Sequence, residues 1–585
     1  MIKILKYLKW YEWVFVALVL GLTGFGVWLD LTVPELMTQI VGLFGPGKNP
    51  TNAEIWDKSW RMLLIVGGSI FSGGVSIWLA SLTAAGLSRT VRRKLFEKVN
   101  GFSMQEMKKF STPSLVVRST NDVTQMQTVL VMTLRMAVYA PIMVVIAATK
   151  IIGKSWELSS IVWIAVAILV VILVTLAAVI LPKFSKIQKL NDKLSSVSRE
   201  NLTGIRVIRA NGAENIQQEK FEDVNKKLTD INLFVARISA VLMPIVMLIF
   251  GSLTTVIYWL GADLINAGTT DYETLILFAT YGIQIVMSFL IIAMLFIMIP
   301  RGQVSANRIR EVLNTKNQII EGQLDEEGLA ERNTQKLSGH VEFKNVSFKY
   351  PDADEYILKE ISFVANQGET VAFVGSTGSG KSTLINLIPR FFDASEGEVL
   401  INGINVKDYK LEALNNRLGF VPQKGVLFSG SIRENIQYGK QDATDEEVEK
   451  ALEVSQAGFV KEMEGGLEYQ IAQSGKNVSG GQRQRLSIAR AVVKNPEIYI
   501  FDDSFSALDY KTDKALRKSL KKHCAKATKF IVAQRVGSIM DADKILVLEK
   551  GIVVGRGTHQ ELLKTCEVYK EIAFSQLSKE ELKNE

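Results

Sequence analysis

Glu369–Arg390 reads ETVAFVGSTGSGKSTLINLIPR: an apolar strand, a glycine-rich loop and the opening turns of a helix. The loop runs Gly375, Ser376, Thr377, Gly378, Ser379, Gly380, Lys381, Ser382, Thr383, and its spacing fits G-x-x-x-x-G-K-[ST]. Glycines let the backbone curl so that several N–H groups face one set of phosphate oxygens. The helix N-terminus behind them adds a field that favours negative charge. On this chemistry Lys381 reaches the β and γ oxygens and Ser382 binds Mg²⁺. A bare match of this kind arises by chance. Set between VAFV and a helix, it predicts a nucleotide-binding α/β domain rather than a structural glycine turn.

Downstream, EIYIFDD at Glu497–Asp503 is an apolar strand ending in two aspartates. Asp502 is the expected Mg²⁺ partner, as in other P-loop NTPases. Upstream, the character of the chain changes. The 585 residues are 48% hydrophobic and 22% charged, and a mean hydropathy of +0.16 conceals two unlike halves. Up to about Pro300 apolar runs dominate; beyond it charges are spread throughout.

A spanning helix needs about 20 mostly apolar residues. Six stretches qualify: Val14–Val33, Met62–Leu87, Ala137–Ile152, Ile161–Leu181, Val241–Leu260 and Leu275–Ile299. The third is short and is expected to extend back across Val131. Basic residues crowd the segments between the second and third spans (Arg89 to Arg118) and between the fourth and fifth (Lys183 to Lys227). The loop between the fifth and sixth has Asp263, Asp271 and Glu273 and no Lys or Arg. The basic segments are therefore expected in the cytoplasm, with both termini. That bias also accounts for the net charge of +8 without nucleic acid as a partner.

Both basic segments keep apolar residues at helical spacing, as in Ile205, Val207, Ile208 and Phe221, Val224, Leu228. Long loops with their own periodicity are usually structured. They are read as helices continuing out of the membrane, with tips near Ser111–Arg118 and Gly212–Phe221 meeting the soluble domain. The opening MIKILKYLKWYEW is read as a short interfacial helix rather than a signal peptide, with Lys3, Lys6 and Lys9 towards water.

Inside or beside the spans, an ionisable residue costs about 2.5–3.5 kcal/mol at mid-bilayer on insertion scales. Asp30, Glu35 and Lys150 fall towards outer ends and read as interfacial. Met287, Met294 and Met298 share a helix face, where plain packing competes with an adaptable substrate lining. Cys524 and Cys566 match no disulfide or metal pattern, and His340, His523 and His559 are scattered.

Just before the second strand stands NVSGGQRQRLSIARA, Asn477–Ala491. With the phosphate loop, this sequence resembles the ATP-binding-cassette proteins. Ser479, Gly480, Gly481 and Gln482 form another helix N-terminus with exposed amides. In the family it grasps ATP held by the other ATP-binding domain of a dimer. Tyr350 resembles the aromatic that stacks on adenine. Gln423, in GFVPQK, resembles the glutamine that senses Mg²⁺. Ser506, Ala507, Leu508 and Asp509 resemble the loop crossing the dimer interface. STPSLVVRSTNDV and SRENLTGIRVIRANGAE resemble the first and second cytoplasmic loops of the exporter class.

The resemblance covers nearly the whole chain. It implies a membrane α-helical domain over 1–300, with six helices extended into the cytoplasm as in type IV exporters. A linker follows over 301–338, then an α/β P-loop nucleotide-binding domain over 339–585.

Two departures from the family pattern carry weight. Asp503 stands where efficient hydrolysers have Glu, and Gln534, in IVAQR, where they have His. A general base must lie about 2.6–3.2 Å from the proton it takes. Aspartate is one methylene shorter, and a misplacement of about 1 Å can cost about 10²-fold. Glutamine carries neither the charge nor the proton of a histidine. Gln473 and Ser474 also replace a frequent Glu-Arg before the intact Ser-Gly-Gly-Gln, and Val478 a frequent Leu.

A weak hydrolytic set beside a good clamp resembles the degenerate-site subunit of bacterial heterodimeric multidrug exporters. The resemblance implies ATP and Mg²⁺, a partner half-transporter supplying Glu and His, the plasma membrane, and small amphipathic substrates. Rival expectations are a lipid or peptide exporter, a slow homodimer, and an ATP sensor gating some other process. Absence of a peptidase domain ahead of the spans weighs against leader-coupled peptide export.

Overall fold

The computed structural model describes residues 2–44, 50–331 and 337–576. By contact the chain divides into two units: Met1–Gly101 with Phe110–Thr315, and Phe102–Lys109 with Lys316–Glu585. The tail beyond 576 and part of the charged stretch DEEGLAERNTQ lie outside the described residues.

The first unit is helical. After a short α1 (Ile2–Leu5), α2 (Trp10–Val41) and α3 (Asn52–Asn100) form the first pair. Then come α4 (Met104–Phe110), most of which groups with the second unit, α5 (Thr112–Ser119) and α6 (Asn121–Ile151). The series closes with α7 (Trp156–Ala210), α8 (Glu214–Asn266) and α9 (Tyr272–Asn314). Six of the described helices are long and apolar enough to cross a membrane. The third reaches back to Asn121, across Val131, as its short apolar run required.

Helix α7 has 55 residues, about 80 Å at the usual rise against about 30 Å of hydrocarbon. The long helices therefore continue well past any bilayer, and the expectation of structured loops holds. Helix α9 likewise runs past Pro300 to Asn314, inside the stretch read as linker.

Starts are set by local chemistry. Thr51 caps α3 reciprocally: its hydroxyl accepts from Glu54 N–H, and Glu54 accepts from Thr51 N–H at 3.1 Å. The helices then pack closely. A Cβ at Gly302 of α9 would stand 2.7 Å from Val129 of α6, so only glycine admits that approach. The buried Tyr281 spends its hydroxyl on the Leu31 carbonyl at 2.7 Å. At the polar end Asp122 accepts from Ser305 at 3.0 Å and pairs with Arg308 at 3.3 Å. Arg118 of α5 bonds the Arg308 carbonyl and Glu311, both at 2.8 Å.

The first expected tip, Ser111–Arg118, groups with the first unit, and the preceding Phe102–Lys109 with the second. The second expected tip, Gly212–Phe221, belongs to the first unit, with Gly212 (φ +59°) turning α7 into α8.

The second unit holds three sheets. An antiparallel sheet runs β2 (Leu358–Ala365), β1 (Val341–Phe348), β4 (Glu396–Ile401), β5 (Ile404–Asn405). The main sheet is ordered β12 (Ile552–Gly557), β11 (Lys544–Glu549), β3 (Thr370–Gly375), β10 (Thr528–Val532), β9 (Ile498–Asp502), β6 (Leu418–Val421). Short β7 (Gly430–Ser431) and β8 (Gln470–Ile471) pair apart. Within the main sheet β11, β3, β10, β9 and β6 are parallel and β12 is antiparallel. Strands β3, β9 and β10 are almost wholly buried, matching their unbroken apolar sequences. Phe373 and Phe530 stack across neighbouring strands with centroids 6.1 Å apart.

Candidate functional site

Open parallel sheets place ligands beyond the carboxyl ends of their strands. Four loops leave those ends together: Ser376–Gly380 after β3, Gln423 after β6, Asp503 after β9 and Gln534 after β10. They surround a cavity of about 650 Å³. The sheet thus gathers residues that the sequence scatters from Tyr350 to Gln534.

The phosphate loop has the backbone its glycines predict. Gly378 (φ +85°) and Gly380 (φ +98°) are left-handed, and a Cβ on Gly375 would lie 2.1 Å from the Leu548 carbonyl oxygen. Lys381 donates to the carbonyls of Gly375 and Ser376, both at 2.8 Å, and to Ser379 at 3.3 Å. Burial lowers its ammonium pKa, opposed by the charges of Asp503 and Asp502. Ser382 donates to Asp502 at 2.7 Å. Burial raises the Asp502 carboxyl, with the neighbouring Asp503 adding to the rise and Ser382 and Lys381 opposing it.

Asp503 is itself buried and takes a left-handed backbone (φ +48°). One of its carboxylate oxygens accepts from Gln534 at 2.8 Å and from Gln423 at 3.1 Å. The acid is therefore tied to both loop glutamines. Ser506 in turn donates to the Asp503 carbonyl at 2.9 Å.

Tyr350 stands at the cavity edge, edge-on to Phe348 and Phe392, with its hydroxyl 3.1 Å from that of Thr383. The Lys108 ammonium lies 4.3 Å over its ring. Sequence reading passed over Lys108, whose only signal was membership of a basic loop.

Ser479–Gln482 opens the helix Gly480–Val493. Ser479 accepts from Gln482 N–H at 3.2 Å, and Gln482 accepts from Ser479 N–H at 2.9 Å. This capping box leaves the glycine amides on the exposed end. A Cβ on Gly481 would stand 3.4 Å from the Ala507 carbonyl, beside Leu508, so the clamp and the Ser506–Asp509 loop are neighbours. Asp509 caps the next helix through Thr512 N–H at 2.9 Å. Among the described residues, none of Ser479–Gln482 lines the cavity around Lys381.

Two further residues escaped sequence reading. Gln484, buried on the clamp helix, donates to the Pro422 carbonyl at 3.2 Å and accepts from Gly425 N–H at 3.0 Å. It brackets Gln423. From the C-terminal helix, Gln576 donates to the Gln534 carbonyl and accepts from Val536 N–H, both at 2.8 Å. Gln484 lies within the quoted Asn477–Ala491 stretch but outside its Ser-Gly-Gly-Gln core, and Gln576 lies in no motif.

Ser382 and Asp502 converge as a hydroxyl–carboxylate pair, and no cluster of three His, Cys, Asp or Glu capable of holding a metal occurs among the described residues. That sparse set suits Mg²⁺, which keeps waters and phosphate oxygens as most of its ligands. The glycine cradle suits a polyphosphate.

Comparison with known proteins agrees with this arrangement. Residues 358–506 match the family model described as ABC transporter, and residues 16–289 the model for the ABC transporter transmembrane region. An uncharacterised ABC transporter ATP-binding protein of Mycobacterium tuberculosis is 38% identical over 96% of both chains. A probable multidrug resistance ABC transporter ATP-binding/permease protein of Bacillus subtilis is 32% identical over 83% of this chain and 82% of its own. An ATP-dependent lipid A-core flippase of Pseudomonas aeruginosa is 30% identical over 86% and 81%. A bacterial Atm1-family ABC exporter solved with ATP bound superposes with a TM-score of 0.79 at 23% identity, covering 97% of this chain and 98% of the other. The fold is that of a type IV exporter: a six-helix transmembrane domain followed by an ABC nucleotide-binding domain.

Proposed function

This chain belongs to the ABC transporter family, and we propose that it exports small amphipathic compounds across the bacterial plasma membrane as the hydrolysis-impaired half of a heterodimer. One observation carries the reading: the Asp503 carboxylate is engaged by Gln534 and Gln423, while the capping box of Ser479–Gln482 is intact and these residues do not line the chain's own cavity.

In this mechanism the Gly375–Thr383 backbone binds the phosphates of ATP and Tyr350 stacks on its base. Lys381 turns from its own loop carbonyls to the β and γ oxygens. Ser382 and Asp502, with Gln423 on the same cavity, would hold Mg²⁺, which when bound would neutralise phosphate charge. Asp503 is too short and too engaged to orient the attacking water well, and Gln534 offers a hydrogen bond without a charge. The ATP on Lys381 then braces the interface and biases the two-state equilibrium of the dimer. Ser479, Gly480, Gly481 and Gln482 complete the partner's site, where Glu and His hydrolyse. Ser506–Asp509 cross between the two sites. Both termini lie in the cytoplasm, where ATP is available.

The B. subtilis relative's name supports multidrug export. The flippase relative favours a lipid-like amphiphile as the second reading.

The test is ATPase activity of the purified chain alone and co-purified with the half-transporter chain encoded beside it. An inactive lone chain, an active pair, and loss of activity on Glu→Gln substitution in the partner are the expected results. Ordinary turnover by a homodimer of this chain alone would overturn the heterodimer reading.

A further inference from the structure

Helices α2, α3 and α6 wall a cavity of about 290 Å³ that is polar where apolar side chains are the rule. Asp30 of α2 accepts hydrogen bonds from Ser69 of α3 and, at 3.4 Å, from the Tyr139 hydroxyl of α6. Along the same seam the Thr23 and Ser76 hydroxyls lie 2.9 Å apart, and Ser72 donates to the Leu22 carbonyl at 2.8 Å. These groups satisfy one another.

Arg135 does not share in that arrangement. It lines the same cavity one helical turn from Tyr139, towards the Asn121 end of α6. Among the described residues no hydrogen bond or ion pair engages its guanidinium, and its neighbour in the cavity wall, Tyr139, is a neutral phenol. Asp30, the carboxylate in the cavity, is committed to Ser69 and Tyr139. By contrast Glu35 and Lys150, nearer the outer ends of α2 and α6, close on each other at 2.6 Å.

Depth sharpens the contrast. Counting back from Ile151 places Arg135 about 24 Å down α6 at the usual rise, in the far part of a hydrocarbon core about 30 Å thick. There its side chain lines the cavity, and an ionisable group so placed within a bundle calls for a partner. Guanidinium is a planar fork of five donors with no acceptor, matched to the paired oxygens of a carboxylate, sulfonate or phosphate. Around it the cavity offers Leu22, Val27, Met136 and Ile291 as apolar wall, and methionine adapts to varied shapes.

We propose that Arg135 receives the anionic group of an amphipathic transported compound whose apolar body lies along this wall. The inference rests on the export reading and narrows its substrate class to anionic amphiphiles.

The test uses the assembled transporter in nanodiscs of zwitterionic lipid and two fluorescent probes, a dansyl-labelled hexyl sulfonate and the matching alcohol. Binding is titrated without nucleotide. The wild type is expected to prefer the sulfonate, Arg135→Gln to weaken sulfonate binding about tenfold or more and abolish the preference, and Arg135→Lys to retain part of it. Repeating the titration with phosphatidylglycerol in the discs separates the sources. Competition identifies a lipid headgroup as the natural anion, and its absence a water-borne amphiphile.

A preference that survives Arg135→Gln overturns the inference, whether or not the dimer loosens. Equal binding of both probes, or binding of the alcohol alone, overturns the anionic class and leaves export standing. Binding of neither probe overturns the inference together with the amphiphile-export reading beneath it.

Discussion

Gln534 donates its side-chain amide to the Asp503 carboxylate at 2.8 Å. The two positions read from the sequence as departures from the pattern of efficient hydrolysers are thus each other's partners. A substitution at one leaves the other with an unmet hydrogen bond, so they are expected to act as a pair. Asp503→Glu with Gln534→His should raise ATP turnover at this site by about tenfold or more, a fraction of the roughly 10²-fold that misplacement costs. Each single change should give less than half the logarithmic gain. Steady-state ATPase of the assembled transporter, with the catalytic Glu of the proposed partner changed to Gln, reads this site alone.

Asp502 gives a pH-dependent prediction. Its carboxyl pKa is raised, chiefly by burial, so the folded chain binds that proton more tightly than the unfolded one. The stability it contributes is complete below the ordinary carboxylate range and is lost as pH rises through the raised value. Asp502→Asn should therefore raise the melting temperature of the soluble unit at neutral pH in EDTA, by about 2–4 °C for each kcal/mol relieved. The same change should abolish the further rise that MgATP gives the wild type. A neutral-pH melting temperature below that of wild type would contradict the sign.

Gln484 holds the loop that carries Gln423 from both sides, through the Pro422 carbonyl and Gly425 N–H. Gln484→Ala leaves those half-buried groups short of partners, at a cost of about 1 kcal/mol. Hydrogen exchange should speed up over residues 422–425 more than over the phosphate loop, while affinity for ATP changes by less than about threefold.

Asp122 joins α6 to the polar end of α9 through Ser305 and Arg308. Asp122→Ala removes a buried acceptor but leaves a half-exposed arginine that water can solvate, so the expected cost is about 1–3 kcal/mol rather than that of a fully buried pair. Thermal unfolding of the purified transporter should fall measurably, and Asp122→Asn should recover part of the loss.

Much of this was legible in the chain. The six spans follow from apolar length, because a bilayer demands an unbroken run and tolerates few charges. The phosphate loop follows from glycine spacing, because only glycine takes left-handed turns without strain. The capping of Ser479 by Gln482 follows from two residues three apart. Each of these is a local constraint and leaves a local mark.

What tertiary structure decided is where distant residues meet. Parallel strand order brings Gln423, Asp503 and Gln534 to one sheet edge and so turns two separate departures into one bonded pair. Packing within the first unit ties Arg118 of the first loop to Glu311 of α9. Gln484 and Gln576 hold loops through backbone bonds that any sequence could accept, so nothing in composition announces them. Arg135 is an ordinary basic residue near a span until α2 and α3 close around it and spend Asp30 elsewhere. Local patterns encode helices, caps and turns because their energies depend on neighbours in sequence. Pairing across the fold depends on which side chains are left unsatisfied once the chain has packed, and that is settled only in three dimensions.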